Sequence, residues 1–417
     1  MQPGRFGHAQ AMGAQDTEGP FGRIKVVECG WGVSAAYGAK LLADLGVNVI
    51  KLEPPGGDPA RQWGPFPDGV PNPEKSGLFV YLNTNKRGVV LDLKRSEGRK
   101  LLGRLLERAD ILIHNILPPD REQYGLLTST FKAAYPQLIV VSISMFGDSG
   151  PRAHWRGSEL IASNAGGWAF LSPGASSHPE LAPLKAFGHQ CDFQAGVHAA
   201  FLALAAYHYR ASTGKGQHID VSEQECIAAM LEMNLMHYSY GGRETSRLGQ
   251  RALGPWFIGD CADGRIFLVC IEEDQWQRLV EFMGNPEWAH EPLFRDRVVR
   301  GQNLDALKAL MTDWLAQWKV MDLYKEAQRR RIPVAPVHAM SRLLENEQLR
   351  ERGYFVEFHQ SGMNQIKLPG PPSQYGCAAW ALKRPAPHLG EHTEEVLCRE
   401  LGLSTTQFDA LRKAGIV

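Results

Sequence analysis

Ile24-Lys25-Val26-Val27-Glu28-Cys29 is a run of mostly apolar, β-branched residues that predicts a short, buried β-strand. The turn Gly30-Trp31-Gly32 follows it, and the helical pattern Ser34 to Leu45 comes next. A second β-branched run, Val47 to Glu53, then predicts another strand. Because strands and helices alternate, this part of the chain predicts a parallel sheet with helices packed on it.

The same alternation continues through the first 150 residues. Three further strands and one helix are predicted there, at Val89 to Leu93, Ile111 to Asn115, Leu138 to Ser144 and Ser96 to Ala109. The turn after the first strand is only a weak match to a dinucleotide-binding fingerprint, since Gly38 comes too late to complete the GxGxxG spacing. The motifs GxxxxGKS/T, HExxH and GxSxG are also absent from the sequence, which removes several common kinase, metalloprotease and hydrolase interpretations.

The second half of the chain predicts longer helices and then a smaller region of mixed strands and helices. Helical patterns cover Ser158 to Phe170, Asp192 to Arg210 and Val221 to Tyr240. In the last of these, the helical spacing of Met230, Met233 and Met236 predicts core positions. A strand pair with Asp263-Gly264 as its turn follows, then helices and a strand at Gln275 to Met283, Leu304 to Trp318, Met321 to Arg330 and Pro333 to Val337.

The composition predicts a large, charge-balanced protein. With 417 residues, of which 44% are hydrophobic, the chain can bury a sizeable core and is expected to form two domains. Its 45 basic and 45 acidic residues balance, so no net field attracts nucleic acid or an anionic membrane. We therefore expect small-molecule partners.

Cysteine usage and hydropathy favour the cytoplasm. Seven cysteines without CxxC or Cys/His spacing argue against a disulfide framework or a structural zinc site. No apolar run reaches the roughly 18 residues needed to span a bilayer, and the N-terminal segment lacks the apolar core of a signal peptide. We expect a cytoplasmic protein that has a disordered N-terminal tail and no membrane partner.

One carboxylate stands at the start of the long apolar helical pattern, in the segment Ala186-Phe187-Gly188-His189-Gln190-Cys191-Asp192-Phe193. Asp192 is expected in or beside the helix N-cap, where free backbone N–H groups favour negative charge. It is either a structural cap or an acid or base in a functional site. The pattern alone does not separate these two interpretations.

Seven motifs occur in order along the chain: Lys51-Leu52-Glu53-Pro54-Pro55-Gly56-Gly57-Asp58 with Arg61, Asn83 to Leu93, Ala109-Asp110 to His114-Asn115, Ser142-Ile143-Ser144 to Gly150-Pro151, Thr213-Gly214-Lys215-Gly216-Gln217, Ile332-Pro333-Val334-Ala335-Pro336-Val337 and Leu389-Gly390-Glu391-His392-Thr393. Together they resemble the class III CoA-transferases, a family that also includes the α-methylacyl-CoA racemases. The resemblance covers essentially everything after residue 22.

The resemblance implies an α/β fold, in which a large Rossmann-like domain with a parallel sheet carries a smaller inserted α+β domain. It also implies an obligate, interlocked homodimer. On this basis we expect a disordered tail over 1–22, the first part of the large CoA-binding domain over 23–222, a linker helix over 223–250, the small domain over 251–338, and a linker with the return to the large domain over 339–417.

Coenzyme A lies along the large domain in this family, so the resemblance implies an acyl-CoA substrate; no metal is expected. The side chains in matching positions for contacts with its phosphates and adenine are Arg61, Asn83, Lys86, Arg87, Asn115 and Arg121. Arg and Lys supply charge-assisted donors to phosphate. Lys86 and Arg87 have a second interpretation, as a solvated entry to a strand.

A class III transferase uses an Asp that attacks the acyl-CoA thioester and forms a mixed anhydride, then an aspartyl-CoA thioester. The alignment places Ser176 at that position, and no Asp occurs between Asp148 and Asp192. Glu180 is the nearest carboxylate. The transferase mechanism would therefore need a displaced carboxylate nucleophile or a partner chain that carries the Asp.

The racemases use a His and an Asp that exchange the α-proton of the thioester from opposite faces. Asp192 matches that Asp, but the His position is Ser158, a far weaker base. His189 is either a second base in the same cavity or a turn residue. Glu273 matches a Glu that racemases bring from the small domain, or it stabilises the first turn of a helix.

Three functions follow as hypotheses. The first, which we expect, is a CoA-transferase that moves CoA between carboxylic acids, as a homodimer or as one subunit of a heteromer. The second is an acyl-CoA racemase or epimerase that uses Asp192. The third is a catalytically silent CoA-ester-binding homologue or a non-catalytic subunit.

Overall fold

A computed structural model describes residues 21–174, 180–247, 253–363, 365–374 and 380–417. The chain divides into two compact units. The first comprises the residues up to Trp168, Lys185–Glu232 and Tyr354–Val417, and the second comprises Ala169–Leu184 and Met233–Gly353. The tail predicted over 1–22 lies outside the described residues except for its last two positions, and the domain boundaries expected from the sequence stay predictions.

A six-stranded parallel sheet forms the centre of the first unit. Its strands are β1 (Lys25–Cys29), β2 (Asn48–Glu53), β3 (Arg87–Val90), β4 (Ile111–His114), β5 (Ile139–Ser144) and β6 (His218–Ser222). They lie in the order β3-β2-β1-β4-β5-β6, and every neighbouring pair is parallel. The predicted α/β fold is confirmed, and the strand order reverses between β1 and β4, where open sheets of this kind bind ligands at the carboxyl ends of the strands.

Helices cover both faces of this sheet. They are α1 (Ser34–Ala43), α2 (Gly77–Asn83), α3 (Ser96–Leu106), α4 (Arg121–Tyr124), α5 (Thr128–Ala134), α6 (Glu159–Ala165), α7 (Gln190–Thr213) and α8 (Glu223–Ala229), and short 3₁₀ turns occur in the first unit at Pro59–Gln62, Pro67–Gly69 and Pro118–Asp120. The apolar sides of α1 and α7 form one core cluster with the sheet, and α3 forms another on the opposite face.

Small residues let α1 and α7 approach closely. Ala195, Ala199 and Ala203 on α7 are fully buried against the sheet. A Cβ atom at Gly196 would lie 2.8 Å from the Ser34 carbonyl oxygen, and one at Gly38 would lie 3.0 Å from the carbonyl oxygen of Gly196. A side chain at Gly196 would therefore clash and one at Gly38 would be tight, so the two glycines hold the start of α7 near the turn after β1.

The single helix expected over Val221 to Tyr240 is wrong. The chain instead forms β6, then α8, then α9 (Glu232–Gly241). The strand pairs with β5 in parallel, and the hydroxyl of Ser222 then caps α8 by accepting the N–H of Glu225 at 3.3 Å. The alternating residues of this strand were obscured by the apolar helical pattern that follows them.

The second unit contains a three-stranded antiparallel sheet and several helices. Their bounds are β7 (Trp256–Cys261), β8 (Gly264–Val269), α10 (Glu273–Phe282), α11 (Arg297–Gln302), α12 (Leu304–Ala316), α13 (Val320–Arg329), β9 (Val334–Val337), α14 (Met340–Leu344) and α15 (Glu347–Glu351), with 3₁₀ turns at Ala169–Leu171, Glu287–His290 and Pro292–Phe294. The predicted strand pair around Asp263-Gly264 is confirmed. Met233 and Met236, expected in the core, are instead 62% and 46% exposed.

The C-terminal segment belongs to the first unit again. Strands β10 (Phe355–Phe358) and β11 (Ile366–Pro369) pair antiparallel, a π-helical segment covers Glu395–Glu400, and α16 (Thr405–Lys413) ends the fold. Val396, Leu397 and Phe408 pack into the core cluster that contains α3. None of the helices in the described residues combines the length and apolar character needed to cross a membrane.

A buried network of opposite charges joins three strands of the sheet. The ammonium of Lys51 lies 2.8 Å from Glu28 and 2.8 Å from Asp58, and that of Lys86 lies 2.7 Å from the other oxygen of Glu28. All four side chains are fully buried. Because such charges are costly to bury unpaired, the two carboxylates and two ammonium groups depend on one another.

The same network fixes the loops at the carboxyl ends of β1 and β2. Asp58 accepts the N–H of Gly32 at 3.0 Å and caps the 3₁₀ turn Pro59–Gln62 through the N–H of Ala60 at 2.8 Å. Arg61 in that turn donates two hydrogen bonds to Glu53, at 2.7 and 2.8 Å. Trp63, the residue directly after the turn, is thereby held in place.

We expect the substitution Glu28→Gln to lower the free energy of unfolding by about 3–5 kcal/mol, because it leaves the Lys86 ammonium without its carboxylate in a buried site. Urea unfolding followed by circular dichroism measures this. The exposed Glu107→Gln is the matched control and should change stability by less than about 0.5 kcal/mol. Equal effects of the two substitutions would contradict the structural role of the network.

Candidate functional site

Three acidic side chains lie in the first turns of three helices that pack against one another. Glu159 begins α6, Asp192 lies in the first turn of α7, and Glu223 begins α8. Helices α6 and α8 are in close contact, since a Cβ atom at Gly166 would lie 2.6 Å from Ile227. The three helices thus bring three carboxyl groups to one place.

Glu159 caps the long helix α7. Its carboxylate accepts the N–H of Cys191 at 3.1 and 3.0 Å and the N–H of Asp192 at 3.1 Å. The ammonium of Lys185 lies 3.6 Å from the same carboxylate. The structural-cap interpretation of Asp192 is therefore wrong: a residue from another helix caps α7, and the Asp192 side chain is left for other contacts.

The Asp192 side chain contacts His189, which sits between it and an aromatic ring. Nδ1 of His189 lies 2.9 Å from Oδ2 of Asp192, and this hydrogen bond raises the pKa of His189. The imidazole stacks on Trp63 with ring centres 5.4 Å apart and planes 7° from parallel. His189 is thus more than a turn residue, because it links Asp192 to the loop that the buried charge network fixes.

His189 and Trp63 form part of the wall of a cavity of about 860 Å³ in the first unit. Most of the wall is apolar, and it includes Phe66, Tyr81, Phe193 and Leu368. Its size falls within the range of small-molecule sites. Asp192 is hydrogen-bonded to His189 in this wall, and 19% of the Asp192 side chain is exposed.

Glu223 is the most deeply buried of the three acids. Only 6% of the residue is exposed, and its Oε2 accepts no hydrogen bond from any group in the described part of the chain. Burial and the neighbouring Asp192 and Glu159 carboxylates raise the pKa of Glu223 to about 8. The sequence analysis missed this residue, because its burial depends on the packing of α8 against α6 and α7, which no local pattern shows.

Glu159, His189 and Asp192 each place one ligand-type atom within 4.8 Å of the others, close enough to surround a cation. Both oxygens of Glu159 accept backbone N–H groups, and His189 bonds Asp192 directly. These contacts explain the arrangement as a hydrogen-bonded set, and we assign no metal to it.

Among the described residues, the other predicted catalytic side chains do not take part in these contacts. Ser158 is the exposed N-cap of α6 and makes no capping hydrogen bond, and Ser176 lies outside the described residues. Glu180 is exposed and belongs to the second unit. Glu273 also belongs to the second unit, where it accepts hydrogen bonds from Arg300 at 2.7 Å and from the backbone N–H of residue 297 at 2.9 Å. The structure therefore brings together Asp192 and His189 from the predicted set.

The predicted CoA contacts all have partners within the protein. Arg121 forms two 2.6 Å hydrogen bonds with Asp148, and Arg87 pairs with Glu395 and Glu400. Lys86 is fully buried, so its interpretation as a solvated strand entry is wrong. The role of these cations, and of Arg61, as CoA contacts stays a prediction.

The two predicted amide contacts also hold the fold. Asn115 accepts the N–H of Trp31 at 2.8 Å and donates to its carbonyl oxygen at 2.7 Å. Asn83 donates to the Phe79 carbonyl oxygen at 2.9 Å and accepts from Lys86 at 2.9 Å. Asn115 is only partly buried, so it keeps surface for a ligand.

A second cavity, of about 540 Å³, lies at the carboxyl ends of β1 and β2 and beside β3. Trp31, Tyr124, Lys94 and Glu53 are among its lining residues. Trp31 and Tyr124 meet edge to face with ring centres 5.2 Å apart. The lining thus offers an aromatic surface, one ammonium group on Lys94 and two acidic side chains, Glu53 and Asp92.

Comparison with known proteins gives consistent matches over nearly the whole chain. The family model described as CoA-transferase family III matches residues 22–393. A succinate–glutarate CoA-transferase from Agrobacterium fabrum is 28% identical, over 91% of this chain and 95% of its own. A subunit of the succinyl-CoA:(R)-benzylsuccinate CoA-transferase of Thauera aromatica is 31% identical, over 95% of this chain and 98% of its own. The crystal structure of a CAIB/BAIF family protein from Brucella suis is 29% identical and superimposes with a TM-score of 0.82, over 92% of this chain and 99% of that one.

We expect the Glu223→Gln protein to gain stability over the wild type as pH rises. A carboxyl group with a raised pKa keeps its proton in the folded state while the unfolded chain loses it, so the wild type is destabilised as pH rises from about 5 to about 8. Gln has no proton to lose. The difference in unfolding free energy should grow by more than about 1.4 kcal/mol, the equivalent of one pKa unit.

Urea unfolding at several pH values measures this difference. The exposed Glu225→Gln, on the same helix, is the control and should run parallel to the wild type. A constant offset between Glu223→Gln and the wild type across the pH range would show that Glu223 has an ordinary pKa.

Proposed function

The chain belongs to CoA-transferase family III, and we propose that it transfers CoA from an acyl-CoA thioester to a carboxylic acid, with Asp192 as the nucleophile. The observation that carries this proposal is the partial exposure of the Asp192 carboxylate beside an apolar cavity. Asp192 keeps exposed surface beside an apolar cavity, although it stands at the start of a helix that another residue caps.

The other two acids of the site are less suited to attack a thioester. Glu159 uses both oxygens to accept backbone N–H groups, so attack by either would uncap α7. Glu223 is enclosed, and its raised pKa keeps it protonated and non-nucleophilic at neutral pH. Asp192 therefore supplies the displaced nucleophile that the transferase hypothesis requires in place of Ser176.

The reaction passes through a mixed anhydride and an enzyme-bound thioester. An oxygen of Asp192 attacks the donor thioester carbonyl carbon, and the C–S bond of the tetrahedral intermediate breaks, so CoA leaves as a thiolate and a mixed anhydride remains on Asp192. The thiolate then attacks the Asp192 carbonyl carbon and expels the donor acid, which leaves an aspartyl-CoA thioester. The acceptor carboxylate repeats these two steps in reverse order, so acyl-CoA and free Asp192 are formed.

His189 and Trp63 orient the nucleophile. The imidazole fixes one carboxylate oxygen at 2.9 Å, and the indole stacked on it restricts the imidazole. In the attack, one of the two carboxylate oxygens forms a bond to the acyl carbon. The largely apolar cavity beside them suits the hydrocarbon body of an acyl group.

We place the nucleotide end of CoA in the cavity at the carboxyl ends of β1 and β2. Lys94 supplies a cation there, and Trp31 supplies an aromatic edge that Asn115 holds in position. The predicted contacts Arg61, Asn83, Lys86, Arg87 and Arg121 would then act largely by shaping this edge of the sheet. Relatives named as succinyl-CoA transferases make succinyl-CoA the first donor to test.

The geometry favours transfer over racemisation. Two-base racemisation needs an acid and a base on opposite faces of the α-carbon. His189 and Asp192 bond each other directly, so no carbon atom fits between them in this arrangement. Ser158, at the matching position for the second base, is too weak a base to act alone.

We also propose that two chains form the interlocked dimer implied by the family resemblance, in the cytoplasm. Many apolar side chains on α7 and α9 are exposed in a single chain: Val197, Phe201, Met233, Leu235, Met236, Tyr238 and Tyr240. Exposed apolar surface of this extent is typical of protein–protein contacts.

The six cysteines in the described residues are free thiols, which suits a reducing compartment.

Interlocked chains separate only when they unfold. We expect light scattering to give the mass of a dimer. We also expect two differently tagged forms to yield no mixed dimer when mixed folded, and about half mixed dimer when refolded together. A monomer, or rapid exchange between folded dimers, would contradict this assembly.

We expect Asp192→Asn to lower the rate of CoA transfer by at least about 10³-fold, because the amide cannot attack the thioester. Wild-type protein incubated with succinyl-CoA and then hydroxylamine should carry a hydroxamate on Asp192, located by peptide mass spectrometry. The control Glu225→Gln should form the same adduct. An adduct on Glu180 would refute this assignment. The absence of an adduct with succinyl-, glutaryl- and formyl-CoA would also refute it, and would favour a silent homologue or a subunit that needs a partner.

A further inference from the structure

We propose that Glu223 is a second catalytic residue, whose protonated carboxyl group donates a hydrogen bond to the carbonyl oxygen of acylated Asp192. The proposal rests on the function proposed for Asp192. It gives the site a donor for the negative charge that develops in each of the two steps at the Asp192 carbonyl carbon.

The position of Glu223 is fixed by contacts on both sides of it. Ser222 caps α8, and the next side chain, Gln224, donates to the Ala165 carbonyl oxygen of α6 at 2.9 Å. Ile227, one turn further on, is fully buried in a cluster with Cys191 of α7. Helix α8 is thus held against both neighbouring helices, and the Glu223 side chain cannot turn away to solvent.

The polar side chains beside the Glu223 carboxyl group include Asp192, which raises its pKa, and Ser34, which lowers it. Ser34 is itself fixed, since its hydroxyl accepts a hydrogen bond from Asn115 at 3.1 Å. An ionised carboxylate can only accept hydrogen bonds, so Glu223 can donate one only while it carries a proton. The burial of Glu223 favours that protonated form.

The remaining charged and titratable groups around the site favour the same state. Glu159 adds a second negative charge near Glu223, which disfavours its ionisation. Burial raises the pKa values of the Cys191 and Cys226 thiols, so neither adds charge at neutral pH. The basic side chains contact the other two acids: His189 bonds Asp192, and Lys185 lies 3.6 Å from Glu159.

A neutral acid in this place has a defined chemical use. When one oxygen of Asp192 is acylated, the other becomes a carbonyl oxygen, and attack by the CoA thiolate converts it into an oxyanion. A donor that reaches that oxygen stabilises the oxyanion more than the carbonyl. The proton stays on Glu223 when the tetrahedral intermediate collapses and the donor acid leaves, so the step needs no net proton transfer.

The role also sets a pH dependence for turnover. Glu223 donates while it is protonated, and above its raised pKa it becomes a second negative charge beside the reacting oxygen. Turnover should therefore fall on the alkaline side as Glu223 ionises. A purely structural Glu223 would give no such limb.

Three variants separate donation from packing: Glu223→Gln keeps a neutral donor, Glu223→Met keeps the length without a donor, and Glu225→Gln is the control on the exposed face of α8. Each is assayed as the full chain, with succinyl-CoA as donor and the best acceptor from a panel of dicarboxylic acids. We expect Glu223→Gln to stay within about tenfold of the wild-type kcat and to lose the alkaline limb. We expect Glu223→Met to lose about 10²- to 10³-fold in kcat with little change in KM, as for other lost oxyanion donors.

The covalent adduct keeps this test separate from that of Asp192. If the wild type traps no adduct on Asp192, the proposed function fails and Glu223 has no carbonyl to assist. If the adduct forms but Glu223→Met turns over at the wild-type rate, or Glu223→Gln keeps the alkaline limb, the role of Glu223 is refuted while that of Asp192 stands. If Glu223→Met loses activity through unfolding, circular dichroism shows it, and the pH profile of Glu223→Gln then decides.

Discussion

The ion pairs among Glu28, Lys51, Asp58 and Lys86 are the interaction on which the rest of the site depends. They neutralise charges that would otherwise be costly inside the sheet, and Asp58 also holds the Gly32 turn and the loop that ends in Trp63. A Cβ atom at Gly32 would lie 3.2 Å from the Trp63 ring, and its φ of +74° favours glycine. The Gly30-Trp31-Gly32 turn therefore leaves room for Trp63, the ring that stacks on His189 in the site.

Sequence reasoning predicted the sheet well because its strands are short β-branched runs separated by clear helical patterns. It missed β6, where the strand His218–Ser222 runs directly into α8 and α9 and the apolar spacing of the helices dominates. It also placed Met233 and Met236 in the core from spacing alone. Periodicity shows that one helix face is apolar, but not whether that face is covered within one chain or by another.

The site was predicted only in part, for a physical reason. Asp192 and His189 are three residues apart in one segment, so the sequence shows their proximity directly. Glu159 and Glu223 reach the same place from helices that begin 33 residues before Asp192 and 31 residues after it, by the numbering of the three positions. The deciding facts, that Glu159 caps α7 and that Glu223 is enclosed, are long-range contacts and burial, which no local pattern encodes.

Much of the wall of the larger cavity comes from parts of the chain that lie far in sequence from Asp192, the proposed nucleophile. They include the loop after Trp63, the start of α2 and the β10–β11 hairpin, where Ile366 and Leu368 contribute apolar side chains. Asp192, by contrast, is fixed to a 24-residue helix. Selection for a new acid can therefore act on loop and hairpin positions while the reacting group stays in place, which gives one scaffold a route to many acyl substrates.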